Sequence, residues 1–156
     1  MSTGSTSRDS LGAPAEIAAY LGIVPFVACP LAMAMLTSYN LRLLAQEAAL
    51  AYGATVLASL GAVHWGLALA GRLAWTPQRI AGAILPGLCA AASVVLGGQR
   101  GLALLVVGLG IFWLYEHRGV AEELPGDYLK LRRNLTLAGC CLLAVTMILS
   151  GSVGLD

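Results

Sequence analysis

Residues 47–71 read EAALAYGATVLASLGAVHWGLALAG. After Glu47 no Asp, Glu, Lys or Arg occurs until Arg72. A helix needs about 20 apolar residues to cross the hydrocarbon core of a bilayer, so this stretch is long enough to span one. His64 is its only side chain that ionises near neutral pH, and an ionisable residue at membrane depth is costly enough to mark a candidate functional site. The surrounding chain repeats the pattern. Further apolar runs at 17–38, 78–98, 100–117 and 134–154 give five spans in all. The chain is 58% hydrophobic and 11% charged, whereas a soluble domain carries about 25% charged residues. The fold class read from this is all-α, a polytopic integral membrane bundle of five transmembrane helices.

Residues 1–16 are small and polar and read as a disordered tail, leaving a single five-helix domain over 17–154. The tail lacks the basic and apolar regions of a secretory signal, so the first span is expected to serve as an uncleaved anchor. Gly97 to Gly101 forces a tight hairpin between spans three and four. Pro25, Pro30 and Pro86 interrupt spans one and three, as membrane helices tolerate where neighbours re-satisfy the freed carbonyls.

With five spans, the tail and the 2–3 and 4–5 loops share one side. They hold Arg8, Arg72, Arg79, Arg118, Lys130, Arg132 and Arg133, against Arg42 and Arg100 on the other. The positive-inside rule then places the N-terminus in the cytoplasm and Asp156 outside. The 4–5 loop, with Leu124, Tyr128 and Leu131 at helical spacing, is expected to form a short amphipathic helix on the inner surface. Pro125 suits its first turn.

Span two carries a ladder of small residues: Ala54, Ala58, Ala62, Gly66 and Ala70. Such rows let helix backbones approach closely in lipid, so Ala58, Ala62 and Gly66 are candidate helix-packing positions. His64 leaves the helix about 160° from Gly66, with Gly53, Leu57, Leu60 and Gly61 on its own face. Span two is therefore expected at the centre of the bundle.

His64 falls roughly 10 Å from the inner end of its span. Span four ends inward at Glu116, with Phe112 and Trp113 above it, and span five starts from the same side with Arg132, Arg133, Asn134 and Thr136. Two readings stand. In one, the aromatics form an interfacial belt and His64 makes a single structural hydrogen bond. In the other, His64, Trp65, Trp113, Glu116, Tyr128 and Arg132 line a pocket for a polar ligand, a lipid headgroup or a proton.

Nothing assembles a catalytic or metal site. Ser59 is five residues from His64 on another face, which disfavours a Ser–His–carboxylate set. Cys29, Cys89, Cys140 and Cys141 lie in apolar runs without metal-ligand spacing and read as small hydrophobes. No cofactor is implied, and a net charge of +1 without a basic patch gives no support to a nucleic-acid partner.

Three stretches carry a family resemblance: Tyr20-Leu21-Gly22-x-x-Pro25-Phe26; Tyr52-Gly53 with Gly61-Ala62-Val63-His64-Trp65-Gly66; and Leu124-Pro125-x-x-Tyr128-x-x-Leu131-Arg132 running into Leu135-Thr136. The chain resembles an uncharacterised membrane family that joins bacterial proteins with a domain of unknown function to the metazoan transmembrane protein 69. The resemblance covers nearly everything from about residue 18. It implies an integral membrane protein of the bacterial inner membrane, or a mitochondrial one in animals, and no known reaction. Asp127 stands where the family pattern has an aromatic residue, which weakens deep insertion of the loop. Glu116 stands where it has an aspartate, which keeps the carboxylate.

The function expected is that of a non-enzymatic accessory or assembly factor of a larger membrane complex. The alternative is a binding or carrier protein for a small molecule, lipid or quinone, with its pocket at His64. The expected partners are the lipid bilayer and either other membrane subunits or a second copy of the chain.

Overall fold

A computed structural model describes residues 13–72, 74–119 and 126–151, with the side chains of Ala13, Ala15, Glu16, Asp127 and Tyr128 outside that description. Six helices follow in order: α1 (Ala13–Leu21), α2 (Val24–Met35), α3 (Tyr39–Leu69), α4 (Pro77–Leu96), α5 (Gly98–Gly119) and α6 (Gly126–Gly151). No strand occurs among the described residues. Among the described residues five segments are long and apolar enough to cross a membrane, α1 and α2 together supplying the first. The fold class read from the sequence holds.

The first span breaks at Gly22 and Ile23 because Pro25, at the second position of α2, has no N–H to continue the ladder. The Tyr52 hydroxyl of α3 donates to the Gly22 carbonyl at 2.8 Å, so the break is sealed by a neighbour. Pro30 and Pro86 are instead carried inside α2 and α4, both buried. The hairpin between α4 and α5 reduces to Gly97 alone. Its φ of 62°, with Gly98 at 50°, lies in the left-handed region that glycine reaches without strain. Thr76 caps α4, its side chain accepting from Arg79 N, with proline next in line.

Two helices are longer than their expected spans. The 31 residues of α3 make a rod of about 46 Å, since nothing between Tyr39 and Glu47 breaks a helix. The segment expected to form a separate amphipathic helix is helical from Gly126, but it runs without interruption into the fifth span. No glycine or proline falls between Gly126 and Gly139 to stop it. Residues 13–16, counted with the tail, form the first turn of α1.

The core is a stack of leucines with small residues between them. Leu57, Leu102, Leu105 and Leu143 are fully buried, joined by Leu50, Leu109, Phe26 and Phe112. α3 packs against α2, α4, α5 and α6, which puts span two at the centre as expected. Close approach, however, uses the His64 face and not the ladder face. A Cβ on Gly61 would come within 2.6 Å of the Ala83 carbonyl oxygen of α4, and one on Gly53 within 2.9 Å of Leu105 Cδ1.

Within the chain the ladder is only partly used. Ala54 is buried and Ala58 half-buried, but Ala62, Gly66 and Ala70 are exposed. A Cβ added at Gly66 meets nothing within 4 Å. Small residues suit a lipid-facing surface as well as a helix contact, so their spacing alone did not reveal the buried side.

Candidate binding site

The interior stripes of three helices bring ionisable groups together. On α5 the buried positions include Leu102, Leu105, Leu109, Phe112 and Glu116, recurring at steps of three and four that keep one face inward. On α6 the same steps link Arg132, Thr136, Gly139, Leu143, Thr146 and Ser150, all buried. On α3 they link Leu57, Gly61, His64 and Ala68. Glu116 and Arg132 thus occupy core positions at the helix ends and not the exposed end positions expected for interfacial charges.

The Arg132 Nε donates to Glu116 Oε2 at 2.9 Å, a buried ion pair with the carboxylate only 2% exposed. The other carboxylate oxygen, Oε1, lies 3.8 Å from His64 Nε2. His64 Nδ1 is 3.1 Å from the Leu60 carbonyl oxygen. A carbonyl only accepts, so Nδ1 carries a hydrogen and donates. Nε2 then faces Glu116 across a gap too long for a hydrogen bond. With a proton there the two form an ion pair; without it, lone pair and carboxylate oppose.

The rings around His64 are Phe112, edge-on at 5.2 Å, and Tyr115, at 5.9 Å. Phe112 also lies 6.0 Å below the Arg132 guanidinium, within reach of a cation–π attraction. Tyr115 rests on α4 where Gly82 has no side chain, and its hydroxyl donates to Gln78 O at 3.3 Å. Sequence reading missed Tyr115. Its place one residue before the inward-facing Glu116 was the available signal.

Of the expected pocket residues, the structure brings together His64, Glu116 and Arg132. Trp65 points outward, 45% exposed, in an edge-to-face contact with Trp75 at 5.4 Å. Trp113 stacks on His117 at 5.4 Å and 10° instead of joining Phe112 over the carboxylate. The side chain of Tyr128 lies outside the described residues. His64 itself is enclosed, and the space lies one residue further on, at Arg132.

That space is a half-open cavity of about 260 Å³ between the α1–α2 break, α3 and α6. Its polar wall includes Arg132 and Thr136, and Phe26, Val56, Leu60 and Leu135 are among the apolar residues. Two buried polar atoms of these wall residues, Arg132 Nη2 and Thr136 Oγ1, have no hydrogen-bond partner, and neither has His64 Nε2. Thr136 stands apart in this respect. Thr55, Thr146 and Ser150 each donate back to a carbonyl of their own helix. Buried polar groups are ordinarily paired, so the unpaired atoms of Arg132 and Thr136 set this corner of the bundle apart. Gly22, Phe26, Tyr52, Leu131, Arg132, Leu135 and Thr136 all line it, and each lies in a stretch that carries the family resemblance. Among the described residues no group of three or more His, Cys, Asp and Glu is placed to hold a metal ion.

Five membrane-length helices around one buried ion cluster define a polytopic α-helical membrane protein. The chain belongs to the family described as protein of unknown function DUF3429, whose model matches residues 12–148. It is similar to mouse transmembrane protein 69, 33% identical over 140 residues, which covers 87% of this chain and 56% of the relative. It is also similar to transmembrane protein 69 of Xenopus tropicalis, 28% identical over 139 residues, covering 86% and 54% respectively. The chain thus spans about half the length of these curated relatives. No solved structure matches it.

Proposed function

We propose that this protein binds a small amphiphilic molecule within the membrane, without transforming it, in the cavity beside Arg132 and Thr136. The observation that supports this reading is a largely apolar cavity whose wall includes two buried polar residues, Arg132 and Thr136. The Glu116 carboxylate, with His64 behind it, acts as a brace that holds Arg132 at the cavity wall. The basic-residue bias puts this end of the bundle on the cytoplasmic side of a bacterial inner membrane, or on the matrix side of the mitochondrial inner membrane in a eukaryote.

Native mass spectrometry of the protein released from nanodiscs tests the reading. The expected spectrum shows a co-purifying lipid, quinone or other amphiphile that is depleted in Thr136→Val. A wild-type chain with no such adduct overturns it.

A second reading, an accessory or assembly factor in a larger membrane complex, is favoured by the exposed part of the small-residue ladder. Ala62, Gly66 and Ala70 offer a shallow helix face open to another subunit or a second copy. Blue-native electrophoresis reads this directly. Migration solely as an isolated chain counts against it.

A further inference from the structure

Resting on the binding reading, we propose that α1 is a hinged flap over the cavity, latched by the Tyr52 hydroxyl. It opens sideways into the bilayer and admits a membrane-dissolved molecule. Three observations carry this.

First, little packing holds α1. None of its described side chains is buried, and Ile17, Tyr20 and Leu21 are each more than half exposed. α2, the other part of the same span, buries Phe26, Pro30 and Met33. α1 packs chiefly against α6, whereas α2 packs against both α3 and α6. In lipid, helices are held by close packing and hydrogen bonds, because lipid tails are as apolar as the side chains. The apolar residues of α1 therefore lose little when it swings away.

Second, the joint between α1 and α2 is suited to bending. α1 ends at Leu21 and α2 begins at Val24, and Pro25 has no N–H to give the Leu21 carbonyl. Hinges commonly sit at such element ends, where a few residues absorb the backbone rotation. The Tyr52 hydroxyl of α3 holds the joint by donating to the Gly22 carbonyl at 2.8 Å. The Tyr52 ring is itself seated edge-on against the buried Phe26 of α2, at 5.0 Å. The latch thus belongs to the body of the bundle and stays in place when α1 moves.

Third, α1 closes the cavity itself. Ala19 of α1 and Gly22 and Ile23 of the joint are part of its wall. The rest comes from α2, α3, α5 and α6, which pack on one another, so α1 is the wall that moves without opening the core. Ile17 to Leu21 belong to the first membrane-length segment. Displacing them exposes the cavity to hydrocarbon and not to water, which makes the bilayer the source of what enters.

Electron paramagnetic resonance distance measurement in nanodiscs tests the flap. Nitroxides are attached through a ketone-bearing amino acid in place of Ile17 on α1 and Val95 on α4, both exposed, so the native cysteines stay. Protein carrying its co-purified adduct is expected to give one main distance. Protein stripped by excess detergent, with native mass spectrometry confirming the loss, should show a second, open one. Tyr52→Phe keeps the ring and removes the latch. It is expected to raise the open-to-closed ratio about fivefold, as loss of one ordinary hydrogen bond does. Pro25→Ala restores the missing donor and should lower that ratio, with or without Tyr52→Phe. A distribution that neither stripping nor Tyr52→Phe changes overturns the flap, while a Thr136-dependent adduct leaves the binding reading standing. A response to stripping alone overturns the latch. A response to Tyr52→Phe alone overturns the flap, because α1 then moves without regard to the cavity. A chain that never carries an adduct overturns this inference and the binding reading together.

Discussion

Where α6 stops, Gln99 Nε2 donates to the Met147 carbonyl at 3.1 Å and Arg42 Nη2 to the Leu149 carbonyl at 3.4 Å. Where α6 begins, Arg132 faces Glu116, Glu116 faces His64, and Thr136 faces a cavity. Both ends of the bundle spend polar side chains at comparable positions along their helices. At the first end they take up carbonyls near the end of α6. At the second they are paired with one another and still leave donors unused. Closing a helix end is a structural duty that needs one acceptor per donor. The second end instead joins ionisable side chains of three helices to one another.

The largest expected effect comes from breaking the cluster's pairing. Glu116→Leu leaves the Arg132 guanidinium buried without its carboxylate, and removing one member of a buried pair costs about 3–5 kcal/mol. The double variant E116L/R132M removes both charges and is expected to recover most of that loss, because an apolar replacement of a buried pair is often neutral. Thermal unfolding in detergent measures both. A double variant as unstable as the single one shows that the charges also hold the fold through other contacts, and the brace reading fails. The matched change at the other end is Gln99→Ala, which gives up one ordinary hydrogen bond and should cost about 1 kcal/mol. If Gln99→Ala proves as damaging as Glu116→Leu, the contrast between the two ends disappears.

The five spans were legible from hydropathy alone, because crossing lipid demands length and apolarity from each segment independently. The break in span one was legible from Pro25. The central place of α3 followed from small residues and a histidine on different faces of one helix. The partners of His64 were half legible: Glu116 and Arg132 were named with it, but as residues lining one pocket, not as a closed pair. Extending the inward rhythm of α6 back from Ser150 through Thr146, Leu143 and Thr136 lands on Arg132. That required reading the helix through residues 126–133, where exposed Lys130 and Arg133 gave the segment the look of a loop. The directions of Trp65 and Trp113 were not legible at all. In water an apolar face must turn inward, but in lipid an apolar side chain gains little by choosing protein over solvent. Hydropathy therefore marks which residues are in the membrane and says little about which way they face.

The same ambiguity frames the smallest expected effect, at the exposed half of the small-residue ladder. Gly61 and Gly66 lie on the same helix, but a Cβ at Gly61 collides with the backbone of α4, while one at Gly66 enters open space. Gly66→Ala should leave the stability of the single chain within about 0.5 kcal/mol of the original, as surface substitutions do, and the gain in helix propensity works in its favour. A larger side chain separates lipid contact from protein contact. Gly66→Leu adds bulk that lipid tails accommodate but a closely packed second helix does not. An unchanged melting temperature in dilute detergent, together with loss of a larger species on blue-native gels, would assign this face to association. If both stay unchanged, Ala62, Gly66 and Ala70 face lipid, and the function rests with the cavity at Arg132.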